Sequence, residues 1–273
     1  MSDETYQVDR RGANEHATPR SGRAVDFSQP LSCAIPFRGG ARTPGVWIED
    51  PARLPEALAA LGLGEPRPVL VLVGGAANLD PSAAGPLGRL FEALAPRLDR
   101  LGAAVIDGAT AYGVMELMGL ARRQTGCRFP LVGVAALGTV DVSGLAFDGP
   151  RGTAALDPNH SHFILVPGHR WGDESPWISA TAGVLAGGRR SLTLVAAGGE
   201  VTRLDVSEGL GARRPLLILA GSGGTADRLA RWRRGGEPPP GLVLDEGDRA
   251  LSRVLELGDP HELAALISAP LGP

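Results

Sequence analysis

The stretch VLVLVGGAANLD at residues 69–80 decides the fold of this chain. Its uniformly apolar first half is typical of a strand covered on both faces, and the glycine pair is typical of a turn into a helix. The same arrangement returns at residues 103–117 (AAVIDGATAYGVMEL) and 215–230 (PLLILAGSGGTADRLA). A strand that ends in glycine and leads into a helix brings backbone N–H groups to one sheet edge, where phosphates bind. The sequence therefore indicates recognition of a nucleotide-like ligand more firmly than any reaction.

Segments typical of strands and helices alternate through most of the chain. Predicted strands lie at residues 45–48, 69–73, 103–107, 130–136, 162–168, 191–199, 215–224 and 253–257. Predicted helices lie at residues 50–63, 81–102, 112–126, 177–188 and 259–268, and residues 231–241 form a predicted Pro/Gly loop. Parallel βαβ units with right-handed crossovers are the simplest solution for such an alternation. We therefore predict an α/β fold with a doubly wound, mainly parallel sheet and helices on both faces, and a ligand at the carboxyl ends of the strands.

Length and composition indicate one domain. A chain of 273 residues fits one large α/β domain better than two complete ones. Residues 1–30 are polar and without periodicity, so we predict a disordered leader there and a single domain over residues 31–273. The N-terminus lacks the apolar core of a signal peptide, and no apolar stretch approaches the roughly 20 residues that span a bilayer. We expect a cytoplasmic protein without membrane insertion.

The charged residues exclude several classes of chemistry. A net charge of −3 gives no general attraction to nucleic acid, so we expect no nucleic-acid partner. Every basic residue is arginine, because the chain contains no lysine. This excludes a P-loop lysine, a Schiff-base lysine and a lysine general base. Cys33 and Cys127 lie far apart and predict neither a disulfide framework nor a metal motif.

The first two glycine turns contain candidate ligand contacts. Glycine permits a sharp turn and a close approach of a ligand to the backbone, and the free N–H groups of a following helix favour a phosphate. The alternative is a plain turn between a strand and a helix. The candidates here are Gly74, Gly75, Asn78, Gly108, Thr110 and Gly113.

Two later turns add a second set of candidates. Small residues before a helix make the turn at 221–225 the best phosphate candidate by spacing, although Asp227 favours a ribose contact or a cap. In the turn AAGGEV (196–201), Glu200 is the one carboxylate placed where acid–base work is conceivable. The candidates in these turns are Gly198, Gly199, Glu200, Gly221, Ser222, Gly223, Thr225 and Asp227.

The segment NHSHFILVPGHRWGDESPW (159–177) concentrates polar side chains. Its H-x-H spacing places two imidazoles on one face, but a metal site needs three or four convergent ligands, and we predict none. His160 precedes a predicted strand and is either a turn cap or a ligand contact. Trp171 either stacks on an adenine or packs in the core.

Five segments in this order resemble the SLOG superfamily, in the branch related to the cytoplasmic N-terminal region of melastatin-type TRP channels. They are GGAANLD, DGATAYGVMELMG, LDPNHSHFILV with the following WGDESPW, LVAAGG, and PLLILAGSGGTADRLA, and the resemblance covers roughly residues 45–270. It implies a Rossmann-like fold that binds nucleotide-derived ligands, including ADP-ribose-type molecules. By motif position, it implies that the pocket is lined by Thr110, Gly113, Gly199, Ser222 and Gly223.

The resemblance has local departures. It places Trp171 where the channel pattern has a ligand-contacting Tyr, but Gly224 stands where that pattern has an Arg, and ESPWIS lacks a second Arg. A second branch of the superfamily contains phosphoribohydrolases with the turn PGG-x-GT-x-x-E. The corresponding turn here, AAGGEVTRLD, lacks the GT and the spaced Glu, although Glu200 leaves such an activity open.

Three functions remain open at this point. The first is a sensor of ADP-ribose, NAD or a related nucleotide, which requires no cofactor and signals to an effector protein or through a homo-oligomer. The second is an N-glycosidic hydrolase or transferase in which Glu200 or Asp227 steadies an oxocarbenium-like centre or activates water. The third is a scaffold with a vestigial pocket.

Overall fold

A nine-stranded sheet forms the centre of the computed structural model, which describes residues 29–76, 79–142 and 154–272. Most of its strands are short apolar runs that are buried along nearly their whole length. The strands are numbered in chain order, and β6 and β7 belong to a separate pair. The nine strands of the main sheet are β1 (Leu31–Pro36), β2 (Arg42–Trp47), β3 (Val69–Gly74), β4 (Ala104–Asp107), β5 (Leu131–Ala136), β8 (His162–Val166), β9 (Ser191–Ala196), β10 (Leu216–Ala220) and β11 (Ser252–Glu256). The pair β6 (Val140–Asp141) and β7 (Ala154–Ala155) forms a small second sheet.

The strand order is β1-β2-β8-β5-β4-β3-β9-β10-β11, and every neighbouring pair except β1 and β2 is parallel. From β3 the chain proceeds outward through β4, β5 and β8, and then returns to the other side of β3 for β9, β10 and β11. The direction of winding therefore reverses between β3 and β9. In open α/β sheets this reversal leaves a crevice at the carboxyl ends of the strands.

Helices cover both faces of the sheet. They are α1 (Leu54–Ala60), α2 (Pro81–Arg100), α3 (Gly113–Gln124), α4 (Ser175–Ala186), α5 (Glu200–Gly211), α6 (Gly224–Arg233), α7 (Glu246–Leu251) and α8 (Pro260–Ser268). Alternate residues of β3 divide between the two layers. Val69, Val71 and Val73 join a core with α1, α4, α5 and α6, whereas Leu70 and Leu72 join a core with α2, α3 and α8. The predicted α/β architecture, doubly wound with a mainly parallel sheet, is therefore confirmed.

The structure differs from the predicted elements in four places. Strand β1 was not predicted, and it pairs antiparallel with β2 at the sheet edge. Helix α5 was not predicted, because β-branched residues and glycines lower its intrinsic helix propensity. Helix α6 extends to Arg233, so it takes in the first residues of the predicted loop at 231–241. The short helix α7 was also missed; it begins with a capping box between Asp245 and Asp248.

Most of the predicted leader and Asn78 lie outside the described residues. Within the described ranges, none of the helices combines the length and the apolar character needed to cross a membrane.

Candidate functional site

A cavity of about 560 Å³ lies where the winding of the sheet reverses. Its wall includes Gly74 at the end of β3, Gly108 just after β4 and Gly199 between β9 and α5. The first residues of α5 complete this side, since Val201 and Thr202 also line the cavity. The cavity therefore occupies the crevice that the topology creates, and its volume is typical of a small-molecule site.

The cavity brings together part of the predicted site. The predicted residues that line it are Gly74, Gly108, Thr110, Trp171, Gly199 and Glu200. The other predicted contacts within the described residues do not line the cavity, and are Gly75, Gly113, His160, Gly198, Gly221, Ser222, Gly223, Thr225 and Asp227. Several residues of this second set form hydrogen bonds with other parts of the protein instead.

The turn at 221–225 is joined to the loop after β9. The N–H groups of Thr225 and Ala226, in the first turn of α6, donate to the carbonyl oxygens of Gly198 (2.9 Å) and Ala197 (3.0 Å). These are donors that a phosphate at this helix N-terminus would need. A Cβ atom at Gly224 would overlap the carbonyl oxygen of Gly198, so an Arg there would require the two loops to separate. The turn at 221–225 therefore holds the loop after β10 against the loop after β9.

Two polar side chains of the same turn are also occupied. The Ser222 hydroxyl accepts from the N–H of Ala197 (2.8 Å) and donates to the carbonyl of Leu219. The Asp227 carboxylate accepts from the N–H of Gly221 (2.7 Å), so its contact in the structure is that of a local cap.

His160 lies fully buried between two carboxylates. Its Nε2 donates to Asp107 Oδ1 (2.7 Å) and its Nδ1 donates to Asp157 Oδ2 (3.0 Å). Burial acts to lower the pKa of His160, but the charge of Asp107 and the hydrogen bonds to both carboxylates outweigh it and raise the pKa to about 9. His160 is therefore a cation at neutral pH.

This Asp–His–Asp cluster fixes the loop after β4. Asp107 Oδ1 also accepts from the N–H of Ala109 (2.8 Å), a residue held at φ = 68°. Ala109 stands between Gly108 and Thr110, two of the three residues of this loop that line the cavity. Its structural contacts make His160 a positioning residue for the cavity wall.

The most distinctive polar groups of the cavity are Glu174, just before α4, and Asp205, in the second turn of α5. The Ser175 hydroxyl donates to Asp205 Oδ1 (2.6 Å), and the N–H of Gly172 donates to Glu174 Oε2 (3.0 Å). Burial raises the pKa of Glu174, and burial together with repulsion from Glu174 and Glu208 raises the pKa of Asp205 to about 7. The cavity therefore holds two carboxyl groups for which the described residues provide no ion-pair partner.

The stability that Asp205→Asn gains over the parent is expected to be larger at pH 8 than at pH 5. The folded pKa of Asp205 exceeds its unfolded value of about 3.8, so its proton stabilises the folded state at low pH. This contribution decreases as the pH rises through about 7. Asparagine removes the ionisation and keeps an oxygen for Ser175, so the variant should gain about 1–2 kcal/mol over the parent between the two pH values.

Thermal unfolding of both proteins at pH 5 and pH 8 measures this difference. Glu92→Gln replaces an exposed carboxyl on α2 and leaves Asp205 in place, so it is the matched control and should not show this gain. An advantage of Asp205→Asn that is equal at both pH values would show that Asp205 ionises normally.

Thr110 and two aromatic side chains complete the cavity. The buried Thr110 hydroxyl has no hydrogen-bond partner among the described residues. Tyr112 and Trp171 line the cavity while 40% and 47% of their surfaces remain exposed. Glu200 also lines it, but 86% of its side chain is exposed, and it lies 3.7 Å from Arg203.

Sequence reasoning missed Tyr112, Glu174 and Asp205 as cavity residues. A helix over residues 200–211 would have indicated Asp205, because Val201, Thr202 and Asp205 share one helical face. For the part of the chain that the structure describes, no cluster of three or more His, Cys, Asp and Glu side chains is arranged to hold a metal ion.

The fold and the cavity define a Rossmann-like α/β domain with a ligand-sized crevice at its switch point. Residues 67–263 match the family model described as "SLOG in TRPM, prokaryote", and the chain belongs to this family. The predicted resemblance is thereby confirmed. A search of curated proteins finds no match.

The solved structures that are similar to this chain include the following two. The structure of TM1055 is 20% identical, with a TM-score of 0.48, over 74% of this chain and 99% of its own. The molybdenum cofactor carrier protein MCP from Chlamydomonas reinhardtii is 13% identical, with a TM-score of 0.49, over 75% of this chain and 98% of its own.

Proposed function

We propose that the cavity binds a nucleotide-derived ligand, with ADP-ribose and NAD as the first candidates, and that the protein acts as a sensor of it. The observation that supports this most directly is the position of the cavity at the switch point between β3 and β9. Membership of the SLOG family supports the same class of ligand. The proposal requires no cofactor, and the bound state would be read by an effector protein or a second copy of this chain.

The polar groups near the glycine loops suit a phosphate or a ribose. Gly199 is the N-cap of α5 and provides no capping side chain, so no cap side chain competes for the backbone N–H groups at this helix end, whose first residues line the cavity. The unpartnered Thr110 hydroxyl adds a donor or acceptor on the side of β4. The N-terminus of α6, in contrast, is closed by the loop after β9.

Calorimetric titration with ADP-ribose, followed by chromatography of the same samples, tests the proposal. Binding with intact ligand supports a sensor, and absence of binding of ADP-ribose and of NAD would contradict the proposed function.

Breakdown of the ligand would instead support an N-glycosidic hydrolase. The observation that favours this second candidate is the pair Glu174 and Asp205, which are better placed for proton transfer than the exposed Glu200.

Thr110→Val is expected to weaken ADP-ribose binding about tenfold without lowering stability. The variant removes a buried hydroxyl that has no partner among the described residues, whereas a bound ligand would lose a hydrogen bond worth about 1 kcal/mol or more. Thr181→Val is the matched control, because Thr181 is a buried threonine on α4 whose hydroxyl is likewise unpartnered among those residues, and it does not line the cavity. Equal affinities of the two variants would remove Thr110 from the site.

A further inference from the structure

The charges around the cavity are of one sign. Among its described lining residues Glu174, Glu200 and Asp205 are acidic, and none is basic. Arg203 lies 3.7 Å from the exposed carboxylate of Glu200 and is not among the described residues that line the wall. A ligand group that enters between Glu174 and Asp205 therefore meets two carboxyl groups, which repel an anion when they are ionised and whose ionisation a cation would favour.

The mouth of the cavity carries aromatic surface. Tyr112 comes from the loop before α3 and Trp171 from the loop before α4, so they approach from different elements. Both keep large exposed areas, unlike the buried Trp232 and Trp47. Exposed aromatic faces beside carboxylates are the surroundings in which proteins bind flat cations.

The helix α5 separates this acidic region from the glycine loops. Asp205 follows the N-cap Gly199 by six positions, which is about 9 Å along the axis at a rise of 1.5 Å per residue. One ligand can therefore place a phosphate at the start of α5 and another group beside Asp205. Burial raises the pKa of both Asp205 and Glu174, as expected for carboxyl groups that have no compensating cation among the described residues.

We propose that the cavity seats the positively charged ring of an N-ribosyl pyridinium, the oxidised nicotinamide ring of a dinucleotide, against Glu174 and Asp205. This inference rests on the proposed function and specifies its ligand. The reduced dihydropyridine ring has the same outline and is neutral, so it gains nothing from the two carboxylates. The site would therefore distinguish the two redox states of one dinucleotide by charge.

Titration with NAD+, NADH and ADP-ribose tests this inference, because the three share one adenosine diphosphate ribose unit. We expect NAD+ to bind at least about fivefold more tightly than NADH, and the double variant Glu174→Gln/Asp205→Asn to bring this ratio close to one. Thermal unfolding verifies that the variant is folded. Glu92→Gln is the control; Glu92 is an exposed carboxyl on α2 that does not line this cavity, and the variant should keep the parent ratio.

The outcomes separate the two proposals. If NADH or ADP-ribose binds as tightly as NAD+, or if the double variant keeps the parent ratio, the charged ring does not lie between these carboxylates and this inference is wrong. If none of the three ligands binds, the proposed function fails, and the inference fails with it.

Discussion

Replacing His160 by alanine should destabilise the protein by about 3–5 kcal/mol, because it leaves Asp107 and Asp157 buried without their shared cation. The loss should exceed that of an ordinary cavity-forming substitution of similar size. It should also weaken ligand binding, since the Asp107 carboxylate holds Ala109 and thereby the loop that carries Gly108 and Thr110.

Denaturant unfolding of His160→Ala beside His162→Ala measures the effect. His162 lies two residues away at the start of β8, and burial lowers its pKa to about 4, so it is neutral at pH 7. Its replacement removes packing and a hydrogen bond with Ser161 (2.8 Å), but it does not leave a buried carboxylate without its cation. Similar losses in the two variants would show that the paired charges around His160 contribute little.

Gly113→Ala is expected to cost about 3 kcal/mol or more, because it combines backbone strain with a direct overlap. Gly113 has φ = 57°, and a Cβ atom there would overlap the carbonyl oxygen of Gly75. That carbonyl accepts from the N–H of Val114 (2.9 Å), so the start of α3 and the loop after β3 would have to separate. The cavity wall at Gly74 would move with that loop.

Gly102→Ala separates the two causes. Gly102 has φ = 60°, but a Cβ atom at this position has no heavy atom within 4 Å. This control should therefore show only the cost of the left-handed backbone, about 1 kcal/mol. Melting temperatures and ADP-ribose affinities of both variants provide the comparison; a Gly113→Ala protein no less stable than Gly102→Ala would refute the overlap.

The fold was predictable because local sequence and long-range packing agree in most strands. The run at Val69–Val73 is buried on both faces, as its uniform apolar character predicts. The sequence of α5 offered no such agreement, since its β-branched residues and glycines weaken the helical pattern. Missing α5 also meant missing Asp205, the carboxyl group whose pKa the cavity shifts to about 7.

The candidate site was predictable only as far as its position at the strand ends. The glycine turns follow the correct strands, but local spacing does not reveal that the turn at 221–225 is closed by carbonyls of the loop after β9. Nor does it reveal that His160 meets Asp107, which lies 53 positions earlier in the chain. Such partners are determined by the strand order, which brings distant residues to one edge.

The loops at this edge are tied to one another in succession. The N–H of Gly75 donates to the carbonyl of Ala196 (3.0 Å), and the Thr202 hydroxyl donates to the carbonyl of Gly74 (3.2 Å). Together with the hydrogen bonds between the loops after β9 and β10, these bonds connect the loops at the strand ends into a continuous rim. A preorganised rim lowers the ordering entropy that binding must overcome. On such a rim, discrimination between ligands would depend on the side chains that line the cavity, Glu174 and Asp205 among them, rather than on rearrangement of the loops.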